Sequence, residues 1–346
     1  MNTSSAIATI VKPHCYSCGS SGRSLYKNLP DRLFQVTGSW NLDICTNDAC
    51  QLVWLNPMPA ENDLPKLYEN YYTHDTPAPK KANGFVNVFR EGCADYITRT
   101  YGYTHPLSTW LSTGIGYLIR LNPAWTANLD FSAFYTQAIP AGKLLEIGCG
   151  SGQMLQAMQA LGWDVTGVDF DPKSVSAARK LGLTVQQGDI SQQDFLAESF
   201  DVIVMSHVIE HLPDPIATLR ACHRLLRPNG KLIAITPNTV GYVHRYFKQS
   251  SLHLDPPRHL HLFRQKPLQD IAIQAGFKQA ECISTIRDFG GLWWASTNIK
   301  RNGKHRMGER APFGTKLIAS LLAIVAGYAL KLGIGEGDEI VLTAQK

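Results

Sequence analysis

Charge is scarce in this sequence. Only 18% of its 346 residues are Asp, Glu, Lys or Arg, and 44% are hydrophobic, so no large segment has the composition of a disordered chain. A broad basic surface is also lacking. The net charge of +5 equals the excess in 298–316 alone, where Lys300, Arg301, Lys304, Arg306, Arg310 and Lys316 meet one acid, Glu309. Nucleic-acid binding needs basicity spread over a face, so it is disfavoured. The local patch reads either as a solvated loop or as an attractor for phosphate on a substrate or membrane surface. Residues 1–11 have neither the basic start nor the apolar core of a secretory signal. Long apolar runs are missing too. The longest, 317–330, would make a helix of about 21 Å, short of the ~30 Å hydrocarbon layer. It is expected as a buried or surface-docking helix rather than a span, with peripheral membrane contact through 298–334. A cytoplasmic location follows, where thiols stay reduced. The eight cysteines are then metal ligands or core residues, not disulfides.

Four of those cysteines fall into two close pairs. Cys15-x2-Cys18 and Cys45-x4-Cys50 are separated by 26 residues, which suits a tetrahedral structural zinc held by four thiolates. Gly19 and Gly22 allow a tight turn, and His14 is an alternative ligand. Between the pairs, 33–36 and 40–44 read as strands. A module of residues 1–55 buries little apolar surface, and zinc would supply the missing stability, an apparent ~10–16 kcal/mol. Cys93, Cys149, Cys222 and Cys282 stand alone. A helical connecting region, 56–140, follows, with helices expected near 85–101 and 107–121. Its cluster Tyr68-Glu69-Asn70-Tyr71-Tyr72 either packs on the module or forms a lid over a ligand pocket, where Tyr72 would serve the site.

From residue 141 onward, strands alternate with amphipathic helices. Strands are expected at 143–147, 164–169, 184–187, 200–205 and 231–236, and later at 279–285 and 339–344. Helices are expected at 153–161, 172–181, around Asp194, at 214–226 and at 268–277. This pattern means a mostly parallel sheet covered on both faces, with an antiparallel pair near the end. Residues 286–336 are an insertion in that 141–346 domain.

The first strand runs into Glu146-Ile147-Gly148-Cys149-Gly150-Ser151-Gly152. This is G-x-G-x-G rather than the dinucleotide fingerprint G-x-G-x-x-G. Glycines there let the backbone turn sharply beside a ligand, and the next helix points its N–H groups at it. The second strand ends at Asp169, followed by Phe170, where a carboxylate can accept from ribose hydroxyls. The third reaches Gly188-Asp189-Ile190, with Asp189 placed for an adenine amino group and Ile190 for the ring. The fourth ends at Ser206.

These successive motifs, with Arg227-Pro228-Asn229-Gly230 before the fifth strand, resemble the cofactor motifs of class I S-adenosylmethionine-dependent methyltransferases. The resemblance covers 143–238 and implies a Rossmann-like seven-strand sheet, S-adenosylmethionine as methyl donor, and an inserted antiparallel last strand. It also implies a cofactor set of Glu146, Gly148, Cys149, Gly150, Gly152, Asp169, Phe170, Asp189, Ile190 and Ser206. The whole layout is similar to a subgroup with an N-terminal four-cysteine zinc module that includes sugar C-methyltransferases. The Tyr-rich segment and Pro257-Arg258-His259-Leu260-His261 resemble that subgroup as well.

Acid–base candidates gather after the fourth strand, in Ser206-His207-Val208-Ile209-Glu210-His211. Strand tips of an open α/β sheet face the ligand crevice. His211 is the preferred general base, because its ordinary pKa lies near neutrality. Glu210 orients it or shares the proton. The string also matches an inverted zinc-protease motif, but that motif needs a sustained helix and Pro213 interrupts this one. A divalent metal on His207, Glu210 and His211, as in some quinone O-methyltransferases, is the metal alternative. His259, His261 and Arg258 read either as a second pocket wall or as surface-loop residues.

The Asn/Asp-Pro-Pro-aromatic motif of amine methylation is absent after the fourth strand. The expected reaction is therefore C- or O-methylation of a small-molecule acceptor: a sugar, a nucleotide-linked sugar or a secondary metabolite, with a phosphate for the basic patch to bind. Two other readings stand beside it. A zinc-ribbon RNA methyltransferase would need a basic module, yet residues 1–51 carry Lys12, Arg23, Lys27 and Arg32 against Asp31, Asp43 and Asp48. A non-catalytic binding module would have no use for an intact Glu146, Asp169, Asp189 and His211.

Overall fold

A computed structural model of the protein describes residues 7–68, 84–104 and 110–346. The N-terminal part contains β1 (Thr9–Ile10), β2 (Gly22–Leu29), β3 (Trp40–Cys45), β4 (Val53–Leu55) and β5 (Met58–Pro59). β1 pairs with β5, and β2, β3 and β4 form an antiparallel sheet. Its fourth member, His261–Leu262, comes from far downstream and pairs with β4. Gly22 fits only because it has no side chain: a Cβ would lie 2.5 Å from the Trp54 ring. Segment 33–36 is a loop, not the expected strand. Asp31 accepts from the N–H groups of Leu33, Phe34 and Val36 at 2.9, 3.1 and 3.0 Å. Three donors converging on one carboxylate bend the chain, as Asx turns do.

Helices α1 (Gly84–Tyr101), α2 (Trp110–Arg120) and α3 (Pro123–Ser132) follow. The remainder runs β6 (Lys143–Ile147), α4 (Gln153–Ala160), β7 (Asp164–Asp169), α5 (Pro172–Lys180), β8 (Thr184–Gln187), β9 (Phe200–Ser206), α6 (Pro215–Leu225), β10 (Leu226–Pro237), α7 (Tyr242–Phe247), β11 (His261–Leu262), α8 (Gln265–Gln274), β12 (Gln279–Thr285), α9 (Phe289–Asn302), α10 (Phe313–Lys331) and β13 (Glu339–Gln345). Local rules set several starts. Asn122, Asp171 and Asp214 each cap a helix with a side-chain oxygen, and each precedes a proline at the first helical position, the pairing that best satisfies a helix N-terminus. The expected helix around Asp194 does not form. Asp189 caps a single 3-10 turn, Ile190–Gln192, and the Gln193 side chain donates to the carbonyls of Gln187 and Asp189, so side chains take backbone groups a helix would need.

Seven strands make one sheet in the order β12-β13-β10-β9-β6-β7-β8. β13 is antiparallel to both neighbours and the other pairings are parallel. Leu145, Ile147, Ile203, Met205 and Leu232 join a core on one face, together with Cys15, Cys45, Cys50 and Trp54 of the N-terminal part. Leu144, Val202, Val204, Ile233 and Ile235 join the core on the other. Chain order reverses at β6, whose neighbours are β7 and β9, and a ligand crevice opens at such a switch point. Register puts Ile147 opposite both Val168 and Met205, so the tips bearing Gly148, Asp169 and Ser206 come together.

α10 is longer than the apolar run predicted. Its 19 residues span about 28 Å. Among the described residues it is the one helix long and apolar enough, by length and composition, to cross a membrane, which overturns the length argument made from 317–330.

Candidate active site and metal centre

The cofactor cleft is built from β6 outward. Gly148, Gly150 and Gly152 all have positive φ, at 73°, 52° and 82°. At Gly148 a Cβ would meet Val208 at 2.4 Å, whereas beside Gly150 nothing lies within 4 Å. The middle glycine therefore leaves an open cradle against bare backbone. Asp169 locks the turn: its Oδ2 accepts from Gly150 N at 2.8 Å and its Oδ1 from Asp171 N at 2.9 Å. Glu146 is buried, and its Oε2 has no hydrogen-bond partner. Burial and the neighbouring Asp169 charge push its pKa up to about 8. A buried carboxyl with one oxygen unpartnered beside an open cradle fits a cationic ligand. Asp189 is exposed and accepts from Ser191 N at 2.8 Å. Ile190 is 1% exposed and packs into the core, so it offers a ligand backbone rather than an apolar surface. Cys149 is likewise buried, and its Sγ fills the space above Gly167. Phe170 is 56% exposed at the lip.

The fourth-strand tip separates two histidines. His207 has a positive φ of 54°. Its Nε2 lies 2.9 Å from Glu339 Oε1, and its Nδ1 lies 3.3 Å from Glu210 Oε1. Arg287 completes the group: it pairs with Glu339 and sets its Nη2 2.7 Å from His207 Nε2. Burial opposes the charge on His207, but Glu339 and Glu210 outweigh it and raise its pKa to about 9. Glu210 is fully buried, accepts from Thr236 Oγ1 at 3.0 Å, and is held down to about 2 against burial, chiefly by its hydrogen bond with His207.

His211 is half-buried, and its pKa falls to about 4 through burial and the nearby His259. Its Nδ1 is 3.0 Å from the Arg258 carbonyl oxygen. A carbonyl can only accept, so Nδ1 carries the proton and Nε2 keeps the lone pair. The Tyr68 hydroxyl lies 3.0 Å from the same Nδ1, and the Tyr68 ring meets Phe170 edge-on at 5.3 Å. Tyr68 thus ties the cofactor lip to the candidate base. The Tyr-rich cluster pointed to this contact, but Tyr72 lies outside the described residues. Arg287, Glu339 and Thr236 gave no sequence signal, since each belongs to a separate element.

The second wall of Arg258, His259 and His261 does not form. Arg258 is 1% exposed and makes a bidentate pair with Asp31 at 2.7 and 2.8 Å, while its Nε donates to Asp255. His261 is buried against Tyr16, with ring centroids 5.1 Å apart. Of the three side chains His259 alone meets the site, its ring 4.7 Å from His211, while Arg258 reaches it through its carbonyl. Residues 255–259 form a turn, so the alternation of an extended segment does not apply. The donor atoms of Glu210, His211 and His259 lie within 4.8 Å of one another. A metal set at this tip would therefore use His259 where the sequence suggested His207.

Cys15, Cys18, Cys45 and Cys50 also place their sulfurs within 4.8 Å of one another. Cys15 and Cys50 are 3.6 Å apart and Cys18 and Cys45 3.4 Å. Four sulfurs at about 2.3 Å from one tetrahedral zinc stand roughly 3.8 Å apart, so the set fits that ion. His14 does not join it.

Residues 117–281 match the family described as "Methyltransferase domain". The ubiquinone biosynthesis O-methyltransferase of Xanthomonas campestris pv. campestris is 38% identical over 128 residues, 35% of this chain and 52% of that protein. Its namesake from Cereibacter sphaeroides is 40% identical over 102 residues, 28% of this chain and 41% of that protein. The chain spans about half the length of the curated relatives it matches. Among solved structures, a methyltransferase of Thermotoga maritima is 19% identical with a TM-score of 0.43, covering 72% of this chain and 98% of that one. A Haemonchus contortus phosphoethanolamine N-methyltransferase, solved with S-adenosylhomocysteine, is 19% identical with a TM-score of 0.44, covering 90% and 70%. Likenesses that slight carry no functional argument. Residues 117–281 carry a methyltransferase domain.

Proposed function

We propose that this chain transfers a methyl group from S-adenosylmethionine to a hydroxyl of a small molecule, with His211 as the proton acceptor. The observation that supports it best is the 3.0 Å contact between His211 Nδ1 and the Arg258 carbonyl oxygen, an acceptor that favours the proton on Nδ1 and a lone pair on Nε2. When bound, S-adenosylmethionine supplies an electrophilic methyl on sulfur. The Gly148–Gly150–Gly152 turn, Asp169, Asp189 and the backbone at Ile190 would hold it, with Glu146 near its positive charge and Phe170 and Ser206 at the rim. His211 is neutral at physiological pH and ready to take a proton. Glu210, ionised throughout that range, offsets the charge His211 then gains. Positioning against the methyl supplies most of the rate.

The O-methyltransferase names of the relatives favour oxygen over carbon as the acceptor atom. Phenolic, secondary-metabolite and nucleotide-linked sugar hydroxyls are the classes to test. A structural zinc on Cys15, Cys18, Cys45 and Cys50 belongs to this reading, as does the cytoplasm, where four thiolates stay reduced. The test is calorimetric titration with S-adenosylmethionine, followed by a labelled-methyl screen of those classes. Saturable binding and label on one class are expected. Absence of binding would overturn the reading.

A further inference from the structure

α10 is built with its large residues outward. Ala319, Ala323, Ala326 and Gly327 face the protein, while Phe313, Leu317, Leu321 and Val325 are 83%, 53%, 57% and 65% exposed. The four exposed residues recur every fourth position and make one stripe, the reverse of a helix that meets water with its polar face. The inward small residues permit close packing. A Cβ on Gly327 would lie 2.5 Å from Pro123 of α3, and the Tyr328 hydroxyl donates to the Leu121 carbonyl. α10 therefore lies against the end of α2 and the start of α3, where Leu118 and Leu121 are also exposed, at 63% and 64%. Single exposed apolar residues need no explanation, but a continuous face does.

Charge is concentrated at the same place. Lys304, Arg306 and Arg310 precede α10, Lys316 lies in its first turns and Lys331 ends it, all exposed, with Glu309 the one acid between 300 and 331. That pattern complements an anionic surface. A span is disfavoured by topology. Thr285 and Glu339, which bracket the α9–α10 excursion, are register partners in the sheet, so a crossing by α10 would need a second crossing to return. α9 is unsuited to that, since it carries Lys300 and Arg301 and buries Asn298. We infer that the α10 stripe, with the α2–α3 junction beside it, docks on an anionic lipid bilayer, α10 lying in the interface plane and the basic loop meeting headgroups.

Co-sedimentation of the full chain with phosphatidylcholine vesicles, with and without about one-third phosphatidylglycerol, tests this. Salt-sensitive pelleting with the anionic vesicles is expected. Leu321→Glu with Val325→Glu should weaken it about a hundredfold, and Lys316→Glu by roughly fivefold or more. All three side chains are exposed, so the urea midpoint should not move. Wild-type protein remaining in the supernatant with both vesicles at low salt would overturn the inference. So would a dimer in solution that the double variant converts to monomer while neither pellets, because a second copy would then be the occupant.

Discussion

Asp31→Ala would remove half of a buried ion pair that joins the N-terminal sheet to the candidate active site. Arg258, 1% exposed, donates twice to Asp31 and keeps Asp255 as its other partner. Breaking a buried pair from one side costs about 3–5 kcal/mol. The residual bonds to Asp255 favour the lower end of that range. Three backbone donors also lose their acceptor, each worth about 1 kcal/mol where water cannot replace it. A loss of about 3–6 kcal/mol is therefore expected, according to how far water replaces the lost acceptor, a large part of the ~5–15 kcal/mol of a typical domain. Urea unfolding at neutral pH measures it. In an Arg258→Met background the same substitution should cost far less, because the pair is already broken. Burial works against ionising Asp31, but Arg258 holds its pKa below the usual carboxylate value. The pair's contribution is therefore full above about pH 4 and lost on further acidification, and the variant should show a shallower acid slope. Because the Arg258 carbonyl anchors His211, turnover should fall roughly tenfold to a hundredfold. A cost under about 1 kcal/mol, or full additivity with Arg258→Met, would refute the reasoning.

His211→Ala should lower turnover by ~10²–10⁴ with S-adenosylmethionine affinity unchanged, as read by single-turnover rates beside calorimetry. In the wild type at saturating S-adenosylmethionine, kcat/KM for the acceptor should stay level down to about pH 5 and fall as His211 protonates near its pKa of about 4. Glu146, with a pKa near 8, is largely neutral at pH 7, and a cationic ligand favours its ionised form. Affinity for S-adenosylmethionine should therefore tighten as pH rises toward 8, with proton release on binding, and Glu146→Gln should abolish the trend. Metal analysis should give one zinc per chain, and Cys45→Ser should lose it together with the ordered 15–50 region, seen as new protease cleavage there.

The seven-strand sheet was legible because each strand is a short apolar run closed by a turn signal, and parallel strands need little else. The placement of the candidate cofactor residues was legible for the same reason: Gly148–Gly152, Asp169 and Asp189 sit at strand ends, where position follows from the fold. The surroundings of the candidate base were only half legible. His211 lies in the 3-10 turn Ile209–His211 that follows β9, and its partners come from three separate places: Tyr68, the turn bearing Arg258 and His259 and, through Arg258, Asp31. Periodicity carries no information on which distant turns meet. The loop at 33–36 was misread because one carboxylate overrode the β-propensity of Leu-Phe-Gln-Val. α10 was underestimated because a count of apolar residues ignores Gly314, Thr315 and Lys316, which continue the helix.

Two histidines four residues apart illustrate why residue type alone could not assign roles. His207 stands between two carboxylates that raise its pKa against burial, with the Arg287 guanidinium also 2.7 Å from its Nε2, while His211 meets a carbonyl and another imidazole and its pKa falls. His207 should therefore act as a charged strut and not as a base. Its pKa of about 9 in the fold lies above the ~6.5 of an unfolded chain. The stability it contributes is then complete below about pH 6.5 and disappears as pH rises through 9. Glu339→Gln isolates that contribution. It removes the His207 pairing, which is pH-dependent, and the Arg287 pairing, which is not over this range. Urea midpoints of wild type and variant should differ most near pH 6 and draw together above pH 9 without meeting, because Arg287 still lacks its partner. A gap that stays constant from pH 6 to 10 would mean that His207 is already neutral and the strut does not exist.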